Sequence, residues 1–202
     1  QPSEVAVFES TDHRVDFMVN LNNPNPQWWA TFDYRFDTGE ASSTIQKGYI
    51  LPSSSRYLTD LGRRTAGGTP ELKLEHLEWH RVDPTNVERD YQIFAAQRLQ
   101  LSIDNVTYKN DLTLGTQTIG QTAFELVNPS GYGFWSVDLT IVLHRNDVPV
   151  AVTVINQKEL KPGERRPITV NWLDNLGGIN KTEIQPNVNI LDPQVFLPTT
   201  RF

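Results

Sequence analysis

The chain has 202 residues, of which 38% are hydrophobic and 21% charged, and its formal net charge is −6. This balance is typical of a folded chain rather than a disordered one. The acidic charge argues against a general phosphate-binding surface and therefore against a nucleic-acid partner. Because cysteine is absent, disulfides, thiolate metal sites and cysteine catalysis are excluded. The aromatic content of 10%, together with 12 glycines and 13 prolines, favours an all-β chain.

The N-terminal part predicts two alternating strands. Residues 15–21 place apolar side chains at every second position, and the turn-rich segment 22–26 then ends sheet pairing with two prolines. In segment 28–36 the even-numbered residues, beginning with Trp28, are apolar or aromatic, whereas most odd-numbered ones are polar. Alternation of this length indicates a half-buried strand with one wet face. We therefore expect Trp28 in the core and Trp29 on the polar face.

The middle of the chain is less regular. Segment 72–82 has apolar residues that do not gather on one helical face, and they predict a strand with one phase slip. A short helix over 86–96 is one option for the connection that follows.

The same order of features returns in the second half of the chain. Segment 124–127 leads into an Asn-Pro turn and a Trp-led alternating strand, as in the first half. The matched features are Asn23-Pro24 with Asn128-Pro129, Trp28 with Trp135, 57–62 with 172–177, and Asp83-Pro84 with Asp192-Pro193. Four recurrences in one order predict an internal duplication.

Each copy spans about 100 residues with short strands and frequent turns, which is the size of an immunoglobulin-like β-sandwich. We place the boundary between Pro84 and Gln100, and predict a first module over 1–90 and a second over 91–202.

The turn motifs carry a family resemblance. Segment 19–25 through Leu51-Pro52, and segment 126–130 through Lys161-Pro162, resemble the water-stress and hypersensitive-response (WHy) type of sandwich, which is similar to fibronectin III modules. The resemblance covers about half of the chain. It implies a non-catalytic protein that sits next to a membrane, and related bacterial modules are displayed outside the cell.

One cluster has the residue types of a metal site. On a strand, His76, Glu78 and His80 share a face, but same-face neighbours lie about 7 Å apart and chelation needs a further ligand. A solvated polar face is the favoured interpretation, so we predict neither a metal nor any other cofactor.

Catalytic motifs are missing from the sequence. Ser53–Ser55 lack a Gly-x-Ser-x-Gly elbow, and the glycines at 67–68 lack the lysine of a phosphate loop. We therefore assign no catalytic residue and predict that the protein is not an enzyme.

Exposed aromatic residues are the binding candidates. Trp29 on the wet face of its strand, and Tyr132 beside the second Asn-Pro turn, are the residues expected to contact a glycan or a protein partner. The alternative for Trp29 is packing beneath a loop.

The functional prediction follows from these points. We expect a structural or assembly module outside the cytoplasm, such as a surface spacer, with a glycan- or protein-binding module as the alternative. No apolar run is long enough to cross a bilayer. Because the chain opens with Gln1 rather than Met, we expect any membrane attachment to come from an upstream segment.

Overall fold

The computed structural model describes residues 1–9, 14–64, 67–87 and 90–198. The described residues are 62% strand and 6% helix and form two sandwich-like units, which confirms the all-β tandem fold. The units are Gln1–Phe94 and a second that begins at Ala95. Among the described residues, no helix is long and apolar enough to span a membrane.

The first unit contains two antiparallel sheets of three strands each within its described residues. Its strands are β1 (Ala6–Glu9), β2 (Arg14–Asn23), β3 (Trp28–Asp37), β4 (Gln46–Ile50), β5 (Ser54–Arg64) and β6 (Glu71–Arg81). The sheet orders are β1-β2-β5 and β4-β3-β6. The core between them includes Phe17 from one sheet and Phe36 from the other, with ring centroids 5.6 Å apart.

The second unit repeats this arrangement strand for strand. After α1 (Tyr91–Arg98), its strands are β7 (Ser102–Leu114), β8 (Gln117–Val127), β9 (Phe134–Arg145), β10 (Val148–Leu160), β11 (Arg165–Trp172) and β12 (Lys181–Asn187), followed by a 3₁₀ turn, Pro193–Val195. The sheet orders are β7-β8-β11 and β10-β9-β12. In both units the first, second and fifth strands form one sheet and the fourth, third and sixth form the other, as duplication requires.

A buried asparagine organises the corner between β2 and β3. The Asn23 side chain donates from Nδ2 to the carbonyls of Trp28 at 2.7 Å and Leu51 at 2.9 Å. Its Oδ1 accepts from the backbone N–H of Asn25 at 3.1 Å. Pro24 follows the last residue of β2, so its lack of a backbone N–H costs the strand ladder no hydrogen bond. One side chain thus joins three chain segments at the end of the sandwich.

The corner between β8 and β9 is built in the same way. Asn128 donates from Nδ2 to the carbonyls of Tyr132 at 2.7 Å and Lys161 at 3.0 Å. Its Oδ1 accepts from the backbone N–H of Ser130 at 3.3 Å. The Asn-Pro pairs that the sequence matches therefore occupy equivalent corners of the two units.

Two of the sequence matches are wrong in detail. The corner hydrogen bonds make Tyr132, and not Trp135, the counterpart of Trp28. The segment from the corner asparagine to its bonded carbonyl is five residues in the first unit and four in the second. Alternation alone does not detect this difference, so it pairs Trp28 with the wrong residue of the second unit.

The match of 57–62 with 172–177 is also wrong. Leu58 pairs with Val19, which lies four residues before Asn23. Ile168 pairs with Phe124, which lies four residues before Asn128. Leu58 therefore corresponds to Ile168, whereas Trp172 lies at the far end of β11. The Asp-Pro match holds locally, since Asp83 and Asp192 each accept from the backbone N–H two residues later, at 2.8 and 2.9 Å.

The predicted phase slip in β6 is present. The register with β3 shifts between the pairs Thr31–Glu78 and Asp33–Glu75. His76 lies in this bulge with a left-handed φ of 50°.

The connecting helix begins later than 86, because Asp90 Oδ1 accepts from the N–H of Gln92 at 2.8 Å and caps the first turn.

An ionised carboxylate stabilises the turn between β10 and β11. Glu164 accepts from the N–H of Lys161 at 2.7 Å and from Arg166 Nε at 2.8 Å. Burial raises the pKa of the Glu164 carboxyl, but these donors and the positive charge of Arg166 together outweigh burial, and the net pKa is lowered. Stability from Glu164 is therefore present above the ordinary carboxyl pKa and is lost as pH falls through the lowered folded value.

We expect Glu164→Gln to lower the free energy of unfolding at pH 7 by about 1 kcal/mol. The difference from the unsubstituted protein should shrink in acid, because protonation removes the same charge. Urea denaturation between pH 3 and pH 7 measures this. Glu159→Gln, in the same turn region, serves as the control. A Glu164→Gln difference that is constant over this pH range would contradict the assignment.

Candidate functional site

The predicted binding residue Trp29 lies on the outer face of β3 and is half-buried. Its ring packs on His80 of β6, with centroids 4.6 Å apart and planes at 34°. His80 Nε2 in turn lies 3.0 Å from Thr31 Oγ1. One face of the indole therefore contacts a neighbouring strand, and a ligand role for Trp29 stays a prediction.

The two histidines of the candidate metal cluster contact different residues on the outer face of β3. His76 Nδ1 lies 2.9 Å from Asp33 Oδ2, whereas His80 contacts Thr31 and Trp29. The bulge in β6 accounts for this separation, because it directs the two imidazoles to different residues of β3. Within the described part of the chain, no three His, Asp or Glu side chains form a group that could hold a metal ion.

The second predicted binding residue, Tyr132, is half-buried in its own unit. Its ring lies 5.7 Å from the ring of Phe196, centroid to centroid, and the Arg98 guanidinium lies 4.5 Å from its centroid. The ring thus makes an aromatic and a cation–π contact within the second unit. A ligand role for Tyr132 also stays a prediction.

The prediction that Trp28 is buried is wrong, since the structure leaves 42% of it exposed. Alternation assigned the correct sheet face, because the next residue on that face, Ala30, is fully buried. Trp28, however, is the first residue of β3 and pairs with Arg81, the last residue of β6. Alternation identifies the face of a strand but not the point along it at which the opposite sheet stops covering it.

A second exposed indole lies on the same face. Trp79 pairs directly with Ala30 and is 46% exposed. Residues paired across an antiparallel ladder project to the same side, so Trp28, Trp79 and Arg81 share one sheet face at one end of the unit. Large exposed aromatic side chains grouped in this way are typical of a contact surface.

A cavity of about 280 Å³ opens beside this aromatic end. Its lining is Pro26, Gln27, Arg81, Val82, Pro84, Val87, Asp90, Tyr91 and Gln92. Gln27 precedes Trp28 in the chain and Arg81 is its ladder partner, so the cavity and the indole are adjacent. We call Trp28, Trp79 and this cavity the aromatic end of the first unit.

The cavity lining combines the aromatic ring of Tyr91 with polar groups of both signs. The Tyr91 hydroxyl is neutral at physiological pH, as any phenol is, and burial raises its pKa further. Arg81 supplies a fixed fork of donors, and Gln27 and Gln92 supply both donors and acceptors. A neutral ligand rich in hydroxyl groups matches this set.

Sequence reasoning missed Trp79, Arg81 and the cavity. Sequence pattern makes Trp79 an ordinary apolar position of its strand, and Tyr91 falls within the predicted connecting helix. The available signal was the Pro-Gln-Trp-Trp run at 26–29, which places an indole at the first residue after a turn. The partners of Trp28 lie more than 50 residues away, so only the fold brings them together.

The fold and this site define a tandem β-sandwich protein with an aromatic-flanked cavity at one end of its first unit. No model of a known protein family matches the chain, and no curated protein is similar to it.

Proposed function

We propose that the chain is a non-enzymatic module that binds a saccharide at the aromatic end of its first unit. The observation that carries the proposal is the pair of exposed indoles, Trp28 and Trp79, on one sheet face beside a cavity with polar lining. This refines the expectation of a glycan-binding module and moves the site from Trp29 to Trp28.

The chemistry of a pyranose ring matches this arrangement. Its faces present C–H groups that pack against an indole, and its edges present hydroxyl groups that need hydrogen-bond partners. Trp28 supplies the apolar surface, and Arg81, Gln27 and Tyr91 supply polar groups next to it. A site with an apolar platform and a few oriented polar groups is the common form of small-ligand sites.

A structural role outside the cytoplasm is the second candidate. It is favoured by the repetition of one six-strand arrangement in two consecutive units, which suits a spacer or an assembly component. The resemblance of the turn motifs to the WHy type favours the same setting.

The saccharide proposal is tested on a glycan array that carries neutral and acidic oligosaccharides, followed by titration with the best-bound one. We expect Trp28→Ala to weaken binding at least roughly tenfold, because the apolar platform is lost. Tyr91→Phe, which keeps the ring and removes the hydroxyl, should weaken binding to a smaller extent.

Trp135→Ala is the matched control, because this indole is 46% exposed in the second unit and should not affect binding. If the unsubstituted protein binds no saccharide, or if the Trp28 and Trp135 variants bind alike, the proposal is wrong and the structural role is favoured.

A further inference from the structure

The cavity and the two exposed indoles of the aromatic end are three separate contact areas. The residues that line the cavity include neither Trp28 nor Trp79. These two side chains are 42% and 46% exposed. A ligand that fills the cavity alone therefore leaves both indoles in water, whereas a longer ligand also covers the indoles.

The three areas follow one another along the strands β3 and β6. Trp28 pairs with Arg81 at the end of the ladder, because one is the first residue of β3 and the other is the last of β6. Trp79 pairs with Ala30, which lies two residues further into β3. On the other side of the Trp28–Arg81 pair, Val82 lines the cavity. The order is therefore the cavity, Trp28 and Trp79.

The spacing of the two indoles suits neighbouring rings of one ligand. Trp28 and Trp79 are diagonal neighbours on paired strands. Residues in this relation lie about 7–8 Å apart, within the reach of aromatic side chains. Because both indoles are on the same sheet face, one molecule that lies along the strands contacts both of them.

The cavity itself is small. Its volume of about 280 Å³ lies just below the range of about 300–1,000 Å³ that is usual for sites of drug-sized ligands. A ligand of several rings therefore extends out of it. Arg81 lies at the border between the cavity and the first indole, because it lines the cavity and is the ladder partner of Trp28. Its guanidinium donors are placed to bind hydroxyl oxygens of two neighbouring rings.

We propose, as an inference that rests on the saccharide function above, that the ligand is a linear neutral oligosaccharide of at least three rings. One ring enters the cavity, the next packs on Trp28 and the third packs on Trp79. The rings on the indoles need a flat face of C–H groups, which sugars with equatorial hydroxyl groups present on both sides. Arg81 and Asp90 give the cavity lining charges of both signs, which favours a neutral chain over a charged one.

Calorimetric titration of the full chain with β-1,4-linked oligomers of glucose and of xylose tests the proposal, because these are straight chains with equatorial hydroxyl groups. We expect the affinity to rise roughly three- to tenfold with each ring up to three rings and then to level off. Trp79→Ala should abolish the rise between two and three rings and leave the binding of the two-ring oligomer unchanged. Trp28→Ala should already weaken the binding of the two-ring oligomer.

Trp135→Ala is the matched control, because this indole is also 46% exposed but belongs to the second unit, and the change should leave the length dependence intact. Equal affinity for one ring and for three rings overturns the inference, whereas the proposed saccharide function stands. If neither series binds but the glycan array identifies another saccharide, the inference is likewise wrong and the proposed function stands. If no saccharide binds at all, both are wrong.

A measurement on the unsubstituted protein covers the case in which Trp79→Ala fails to fold. Saturation transfer NMR with the three-ring oligomer reports which of its rings contact the protein. Transfer to the protons of all three rings supports the proposal. Transfer confined to a single ring overturns it.

Discussion

Replacing Phe36 by alanine is expected to lower the free energy of unfolding of the first unit by roughly 3–5 kcal/mol. Phe36 is buried between the two sheets, and its ring lies 5.6 Å from that of Phe17 and 6.3 Å from that of Tyr34, centroid to centroid. Truncation removes these contacts and leaves a cavity that the sheets fill only in part. Urea denaturation followed by circular dichroism measures the loss.

Trp28→Ala is the informative comparison, since alternation alone predicts a large cost for it as well. The structure leaves 42% of Trp28 exposed, so its removal should cost no more than about 2 kcal/mol. Equal destabilisation by Phe36→Ala and Trp28→Ala would show that Trp28 belongs to the core. In that case Trp28 would not present an exposed apolar surface to a saccharide.

Replacing Asn128 by alanine is expected to cost roughly 2–4 kcal/mol in the second unit. Its amide satisfies the carbonyls of Tyr132 and Lys161 and accepts from Ser130. These groups lie at a buried corner, and removal of the amide leaves the Lys161 carbonyl and the Ser130 N–H without this partner, whereas the Tyr132 carbonyl keeps its bond from the Ser130 hydroxyl. Asn23→Ala should have a similar effect in the first unit, because Asn23 makes the corresponding bonds there.

Asn22→Ala is the control for both corner variants, because Asn22 is an exposed neighbour of Asn23. We expect it to change stability by no more than about 0.5 kcal/mol. A cost at Asn23 or Asn128 no larger than the cost at Asn22 would mean that the corners do not depend on the amide. The shared corner would then be a weaker sign of duplication than the common strand order.

The local sequence pattern is sufficient to predict several structural elements of this protein. Alternation in 28–36 identified the buried row that contains Phe32 and Phe36, and the irregular spacing in 72–82 predicted the bulge of β6. The recurrence of Asn-Pro predicted two equivalent corners. Each of these features depends on residues close together in the chain, because side-chain period and turn chemistry are local properties.

The aromatic end of the first unit depended on tertiary structure. Its cavity joins Gln27, Arg81 and Tyr91, and no local pattern relates residues so far apart in the chain. The exposure of Trp28 is decided by where the opposite sheet ends, which is a property of two sheets packed together. The edge position of β10 is decided in the same way, because only the fold shows that β9 is its one partner among the described strands. A strand's period determines which side chains share a face, whereas packing and strand order determine which of them meet solvent.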